Sequence, residues 1–280
     1  MVKIVTDSVS DVPMEVAEEL DITVLPILVR FGEEVYRDGV DLSSEEFYQK
    51  LMSRKDFPHT AVPSLGDITQ AYENVAEESD EILSIHLSSK LSAFYEAALT
   101  ARDLIKKKCR IEVIDSLSAT AGEGLLVITA AKEAQKGASL EQIITTVKEL
   151  IPKTRVRMAF DTLEYLRWGG RIGKAQALMG SLLKVQPIAG IKEGEGDVIG
   201  VARARSRAKA LDWLYNYVEG FSSRIKELAV GHATTPDEAD AFIERLGSLF
   251  PKERIYKIRI GCITGAHVGP HVMSVNLIEG

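Results

Sequence analysis

Ser88, Ser89 and Ser92 stand close together behind an apolar run, Ile82 to His86, and lead into a helix-like segment, Leu91 to Lys106. Hydroxyls and backbone N–H groups at the carboxyl end of a strand are what an α/β protein offers to an anion. No base adjoins these serines to make one of them a nucleophile, so the cluster reads as a clasp that holds a ligand. A helix cap with spare hydroxyls is the plainer alternative. Upstream, Pro58-His59-Thr60-Ala61-Val62-Pro63-Ser64 brackets a threonine with prolines. Proline restricts its own φ and the conformation of the residue before it, which would fix where the Thr60 hydroxyl points. The same segment also reads as a rigid connector with Ser64 capping the next helix.

The remaining polar segments are less specific. Arg167-Trp168-Gly169-Gly170-Arg171-Ile172-Gly173-Lys174 has glycines and cations suited to a phosphate, but lacks the register of a P-loop or a dinucleotide fingerprint. A tight turn with a solvated basic face accounts for it equally. Arg203, Arg205 and Arg207 would share one face of an extended segment, as a site for a partner or phosphate or as a charged edge. Gly265-Ala266-His267-Val268-Gly269-Pro270-His271 places two imidazoles in what reads as a small-residue loop. Gly269-Pro270 denies the pair a shared helix, so no metal site is expected. His267 could instead donate to a carboxylate or phosphate, or make a structural hydrogen bond. Asp7-Ser8 and Asp115-Ser116 follow strands and read as caps or Asx turns behind the site.

These residues need elements to position them. The first half alternates apolar strands (Val2–Val5, Ile22–Val29, Ile82–His86, Ile111–Ile114) with helices from about Val12, from Ser43, near Ile68–Glu78, and over Gly124–Gln135 and Leu140–Leu150. Ser43 with Glu46 forms a capping-box spacing. Such alternation predicts a largely parallel sheet covered on both faces. Pro152 closes this series. The second half reads as strand (Val156–Phe160), short helix (Thr162–Arg167), helix (Ala175–Leu183), two strands flanking Glu193–Asp197, helix, strand (Leu228–Gly231), helix, strand (Tyr256–Gly261) and a last strand (Val272–Ile278). The expected architecture is two α/β lobes, residues 1–152 and 153–280.

With 280 residues, 45% apolar and 27% charged, the chain has the composition of an ordinary globular protein large enough for two lobes. Its net charge of −7 opposes a general nucleic-acid binder, and no basic recognition helix is evident. Cys109 and Cys262 lie far apart, without the spacing of a zinc site or disulfide framework. No apolar run is long enough to span a bilayer, and the start, Val-Lys-Ile-Val-Thr-Asp-Ser, does not read as a leader. A cytoplasmic location is expected.

Together these segments resemble the DegV family of bacterial fatty-acid-binding proteins over essentially the whole chain. The resemblance is carried by Thr6-Asp7-Ser8, Arg37-Asp38-Gly39, Thr60 with Pro63-Ser64, His86 through Ser92, Asp115-Ser116, Leu163 through Leu166, Gly169 through Ile172, and Gly265-Ala266-His267 before Gly269-Pro270. It implies a long-chain fatty acid lying in a tunnel between the lobes, with Thr60 and Ser92 on its carboxylate and Ser89 and Ser64 beside them. It also implies no catalytic residue, cofactor or metal. A separate ATP-dependent fatty acid kinase would take the presented carboxylate toward phospholipid synthesis, with His267, Arg205 and Arg171 facing that exchange, and transient contact with a membrane surface is a further expectation. Two departures, Ala61-Val62 and Ala93-Phe94, are expected to add apolar bulk beside the head group. The competing expectation is a serine hydrolase or acyltransferase using Ser92 with His267 as base, although Lys90-Leu91-Ser92-Ala93-Phe94 is no nucleophile elbow.

Overall fold

The computed structural model describes residues 1–54, 56–179 and 185–280. Its elements in chain order are β1 (Lys3–Asp7), α1 (Met14–Glu19), β2 (Ile22–Leu25), β3 (Leu28–Phe31), β4 (Glu34–Arg37), α2 (Ser44–Ser53), β5 (His59–Ala61), α3 (Leu65–Ala76), β6 (Glu81–His86), α4 (Phe94–Arg102), β7 (Arg110–Asp115), α5 (Ala121–Gln135) and α6 (Leu140–Leu150). There follow β8 (Thr154–Ala159), α7 (Glu164–Trp168), β9 (Gln186–Ile191), β10 (Val198–Ala204), α8 (Arg207–Glu219), β11 (Ile225–His232), α9 (Pro236–Leu246), β12 (Ile255–Arg259), α10 (Cys262–Val268) and β13 (Met273–Glu279).

β2, β1, β6 and β7 form a parallel sheet in that order. A second, six-stranded sheet runs β10-β9-β8-β13-β11-β12, antiparallel except for the β11–β12 pair. The α/β architecture is thus the one the sequence predicts, with the second sheet mixed. Ser43 and Glu46 make the predicted capping box, and Ser139 with Gln142 makes another, so α2 and α6 start where side chains satisfy their free N–H groups.

Three local departures matter for the site. The single strand predicted over Ile22–Val29 is divided at Pro26, because proline brings no N–H to a ladder. Its second half, β3, joins β4 and β5 in a small antiparallel sheet, pairing Val29 with Thr60. The helix predicted over Ala175–Leu183 is a 3-10 segment at Gly173–Leu178, and its end, residues 180–183, lies outside the described residues. The predicted loop holding Gly265 and His267 is the helix α10. Gly269, at φ +83°, ends it by donating its N–H to Gly265 O.

α5 carries the two sheets. Its run Gly-Leu-Leu-Val-Ile-Thr-Ala-Ala is apolar on nearly every side, the pattern of a helix covered all round. Val127, Ile128, Ala131 and Ala134 pack with Ile4, Leu83 and Ile85 of the parallel sheet, while Leu125 and Leu126 pack with Ala229, Ile258 and Ile278 of the six-stranded one. A further buried apolar cluster crosses between the halves, joining Val5, Ile27 and Phe31 to Val156, Met158, Ala189 and Ile263.

Candidate functional site

Between the parallel and six-stranded sheets lies a cavity of about 210 Å³, more than ten times the ~10–15 Å³ that one water needs. Its walls are apolar over most of their extent, from Val9, Ile27 and Leu87 on one side to Val156, Met158, Phe160, Ala189 and Ile191 on the other. Polar side chains reach it from Thr60, Ser92, Thr120, Arg171, Thr264 and His267. A greasy space with a few convergent donors is the form of a site for an amphipathic ligand.

Each donor is positioned by a traceable device. Thr60 sits on β5, held by the ladder to β3, and its Oγ1 lies 3.1 Å from His267 Nε2. His267 occupies the last turn of α10, its ring pressed against Gly169, where an added Cβ would fall 2.1 Å from Nδ1. Burial first, and the Arg171 charge second, lower the His267 pKa to about 4, so the imidazole is neutral at physiological pH. Its Nδ1 is buried without a hydrogen-bond partner among the described residues. Arg171 donates Nε to Leu91 O at 3.0 Å and Nη1 to Gly169 O at 2.7 Å, which ties the turn after α7 to the serine-rich loop.

The loop after β6 is braced from behind. The Asp7 carboxylate takes the Leu87 N–H at 3.1 Å and meets His86 Nδ1 at 3.0 Å, while His86 Nε2 reaches Ser84 Oγ at 2.7 Å and Tyr72 donates to the same hydroxyl. Asp115 accepts the N–H groups of Ser89 and Leu117. The repeated Asp-Ser dipeptides therefore stand behind the site, as the sequence suggested. Ser88 is fully buried and donates to Gly196 O across the interface of the two sheets. At Gly196 φ is +79° and a Cβ would approach Ser88 Oγ to 2.2 Å, so only glycine fits.

Of the residues singled out from sequence, Thr60, Ser92, His267 and Arg171 are brought to this cavity and Ser64, Ser89 and Arg205 are not. Ser64 is exposed and spends its hydroxyl on the capping box of α3, donating to Asp67 Oδ2 at 2.6 Å and accepting the Asp67 N–H. Ser89 uses its N–H on Asp115 and its side chain does not reach the lining. Arg205 is exposed ahead of α8. The arginines do not form one stripe: Arg203 donates to Ala177 O, and Arg207 pairs with Glu238 and donates to His271 O. Ala61, Val62 and Ala93 line the cavity as expected, but Phe94 does not. As the first residue of α4 it is fully buried against His86, so it adds no bulk at the polar end.

Sequence reasoning also missed a group of buried carboxyls that fastens α10. Asp11 Oδ1 accepts the Gly261 N–H at 2.9 Å and its Oδ2 the Thr120 hydroxyl at 2.6 Å, while Asp38 Oδ1 accepts the Cys262 N–H at 3.2 Å. Burial pushes Asp11 up to about 8 and raises Asp38 and Glu123 as well. Their signal was present in Arg37-Asp38-Gly39 and in the turn after β1, but the α10 that uses them was read as a loop. Thr264 was missed for the same reason.

The geometry opposes acyl-enzyme chemistry. The His267 Nε2 partner is Thr60, no described carboxylate orients Nδ1, and Ser92 Oγ accepts the Phe94 N–H. No cluster of His, Cys, Asp or Glu among the described residues is arranged to hold a metal ion. No helix among them is long and apolar enough to cross a membrane.

Comparison with known proteins agrees with the architecture along the whole chain. The family described as "Uncharacterised protein, DegV family" matches residues 1–280. A DegV domain-containing protein of Caldanaerobacter subterraneus subsp. tengcongensis is 37% identical over 278 residues, covering 98% of this chain and 97% of that protein. A DegV family protein of Thermus thermophilus, whose structure concerns fatty acid binding, superimposes with a TM-score of 0.90 at 31% identity, covering 100% of this chain and 99% of that one. DegV of Bacillus subtilis, a fatty acid binding protein, gives a TM-score of 0.91 at 30% identity over the same shares.

Proposed function

The chain belongs to the DegV family, and on that premise we propose that it binds one long-chain fatty acid in the cavity between its sheets and presents the carboxylate to a separate ATP-dependent fatty acid kinase. The observation that carries this reading is the cavity itself, apolar along its length with Thr60, Ser92, His267 and Arg171 gathered on its lining. The solved relatives of Thermus thermophilus and Bacillus subtilis, both fatty acid binders, support the ligand class. The division into residues 1–152 and 153–280 is part of the proposal. It is supported by the parallel sheet being built wholly before Pro152 and the six-stranded sheet wholly after it.

The energetics suit a carrier. A saturated sixteen-carbon chain buries about fourteen methylenes at roughly 0.8 kcal/mol each, an upper bound near ~11 kcal/mol before ordering costs. An ionised carboxylate left unpaired in that space would cost several kcal/mol, so the site must supply donors. We assign the proton of neutral His267 to Nε2, so that the ring donates to Thr60 Oγ1 and leaves the Thr60 O–H for the carboxylate. Ser92 supplies a second hydroxyl. Arg171 lines the same space and adds a positive charge beside these hydroxyls. With Nε and one Nη1 hydrogen bond committed to backbone carbonyls, it offers charge compensation without a full bidentate clamp, so the acid stays exchangeable. Arg205, exposed and away from the cavity, is proposed to face the kinase, and membrane contact would be transient.

Two measurements test this. Mass spectrometry of lipid extracted from the purified protein is expected to return close to one long-chain fatty acid per chain. Incubation with an ATP-dependent fatty acid kinase should convert that acid to acyl phosphate faster than free acid. Protein that carries no acid after exposure to palmitate would sink the binding reading, and loaded protein that the kinase ignores would sink only the partnership.

A further inference from the structure

Thr264 presents a hydroxyl that no other described residue uses. It lies at the middle of α10, one turn before His267, lines the cavity, and is nine-tenths buried with no hydrogen-bond partner for Oγ1 among the described residues. A helical threonine ordinarily returns its hydroxyl to a carbonyl one turn back. Here the carbonyl of Ile260 already accepts the Tyr48 O–H at 3.1 Å. Another cavity threonine, Thr120, is committed to Asp11 at 2.6 Å. Thr264 is thus an unspent donor and acceptor within an apolar wall.

We infer that Thr264 selects the ligand, recognising an oxygen function on the first few carbons of the acyl chain, so that a hydroxy fatty acid is preferred over the plain acid. This rests on the fatty-acid reading above and narrows its ligand class. The placement follows from helix geometry. Residues three apart on a helix have Cβ atoms roughly 5–6 Å apart on one face, so Thr264 sits one such step from the His267–Thr60 pair that receives the carboxylate. A plain methylene chain would cover the hydroxyl and leave it unpaired. A hydroxyl near the carboxyl end would pair with it, as donor or acceptor.

The test compares palmitate with 3-hydroxypalmitate by isothermal titration on delipidated full-length protein, wild type and Thr264→Val. Wild type is expected to bind the hydroxy acid about ten-fold more tightly, consistent with one buried polar group left unmade in the palmitate complex. Thr264→Val keeps the shape and loses the hydroxyl, so palmitate should gain affinity, the hydroxy acid should lose it, and the preference should vanish or reverse. Thr264→Ser, which retains the hydroxyl, should keep the wild-type order. Equal affinity of wild type for both acids, or a preference unchanged in Thr264→Val, overturns the inference while leaving fatty-acid binding intact. Failure of wild type to bind either acid overturns both.

Discussion

Thr60→Val removes one oxygen and keeps the shape and β-branching of the side chain. Because Thr60 pairs with Val29 across a short antiparallel ladder and is only half-buried, valine should preserve the strand at a cost below about 1 kcal/mol. The loss falls on the site. Thr60 Oγ1 is the partner of His267 Nε2 at 3.1 Å, and His267 Nδ1 has none among the described residues, so the variant leaves a buried neutral imidazole without a hydrogen bond and the carboxylate short of a donor. A buried polar group left unmade costs roughly 1–3 kcal/mol, which is about 5- to 150-fold in affinity. Palmitate titration at pH 7.5 reads this directly, alongside thermal unfolding to confirm that the fold survives. His267 stays neutral well above its pKa of about 4, so the loss should not change between pH 6.5 and 8. A dissociation constant within two-fold of wild type would refute the assignment of Thr60 to the head group.

Ser92→Ala should weaken palmitate binding by roughly 1–3 kcal/mol, measured in the same titration. Arg205→Ala should slow acyl phosphate formation by the kinase while the protein retains its lipid, and parallel loss of both would count against a kinase-facing role. Gly196→Ala must force a Cβ to within 2.2 Å of Ser88 Oγ at φ +79°, so its melting temperature should fall by several degrees, for a cost of about 1–3 kcal/mol. Asp11, raised to about 8, binds a proton more tightly folded than unfolded, so its contribution falls as pH rises from about 4 to 8 and is level above that. His267, lowered to about 4, works in the opposite direction between about pH 4 and 6.5. From pH 6.5 to 8 only Asp11 of these two is titrating, and Asp11→Asn should flatten the fall in denaturant stability there by about 1–2 kcal/mol. An unchanged slope would show that the neighbouring carboxyls, Asp38 and Glu123, carry the dependence.

What the sequence revealed and what it hid divide along physical lines. The α/β alternation, the Ser43 capping box and the whole of Leu140–Leu150 were legible because period and capping are local properties. The Ser88–Ser92 loop was legible as a polar turn between a strand and a helix, but not which of its serines lines the cavity, because capping and ligand-holding serines share one pattern and only Ser92 reaches the lining. Ser64 was read both as a cap and, by resemblance, as a ligand residue, and its capping box with Asp67 is the use the structure shows. The division at Pro26 decided that Thr60 would ride on its own small sheet, and that is a question of pairing, which no single strand announces. The α10 segment hid for a subtler reason. Gly265 is costly in a helix, yet there a Cβ would meet Phe47 and Tyr48 below 3 Å, so close packing required the glycine that disguised the helix. With α10 taken for a loop, neither the Asp11 and Asp38 caps nor the alignment of Thr264 with His267 could be inferred.

The most direct test is a crystal structure of the protein grown with palmitate. It should show the acyl chain threaded between Val9, Ile27, Met158 and Ile191, with its carboxylate within hydrogen-bond distance of both Thr60 and Ser92. A chain bound elsewhere, or one in this cavity with its carboxylate at the opposite end from His267, would contradict the account.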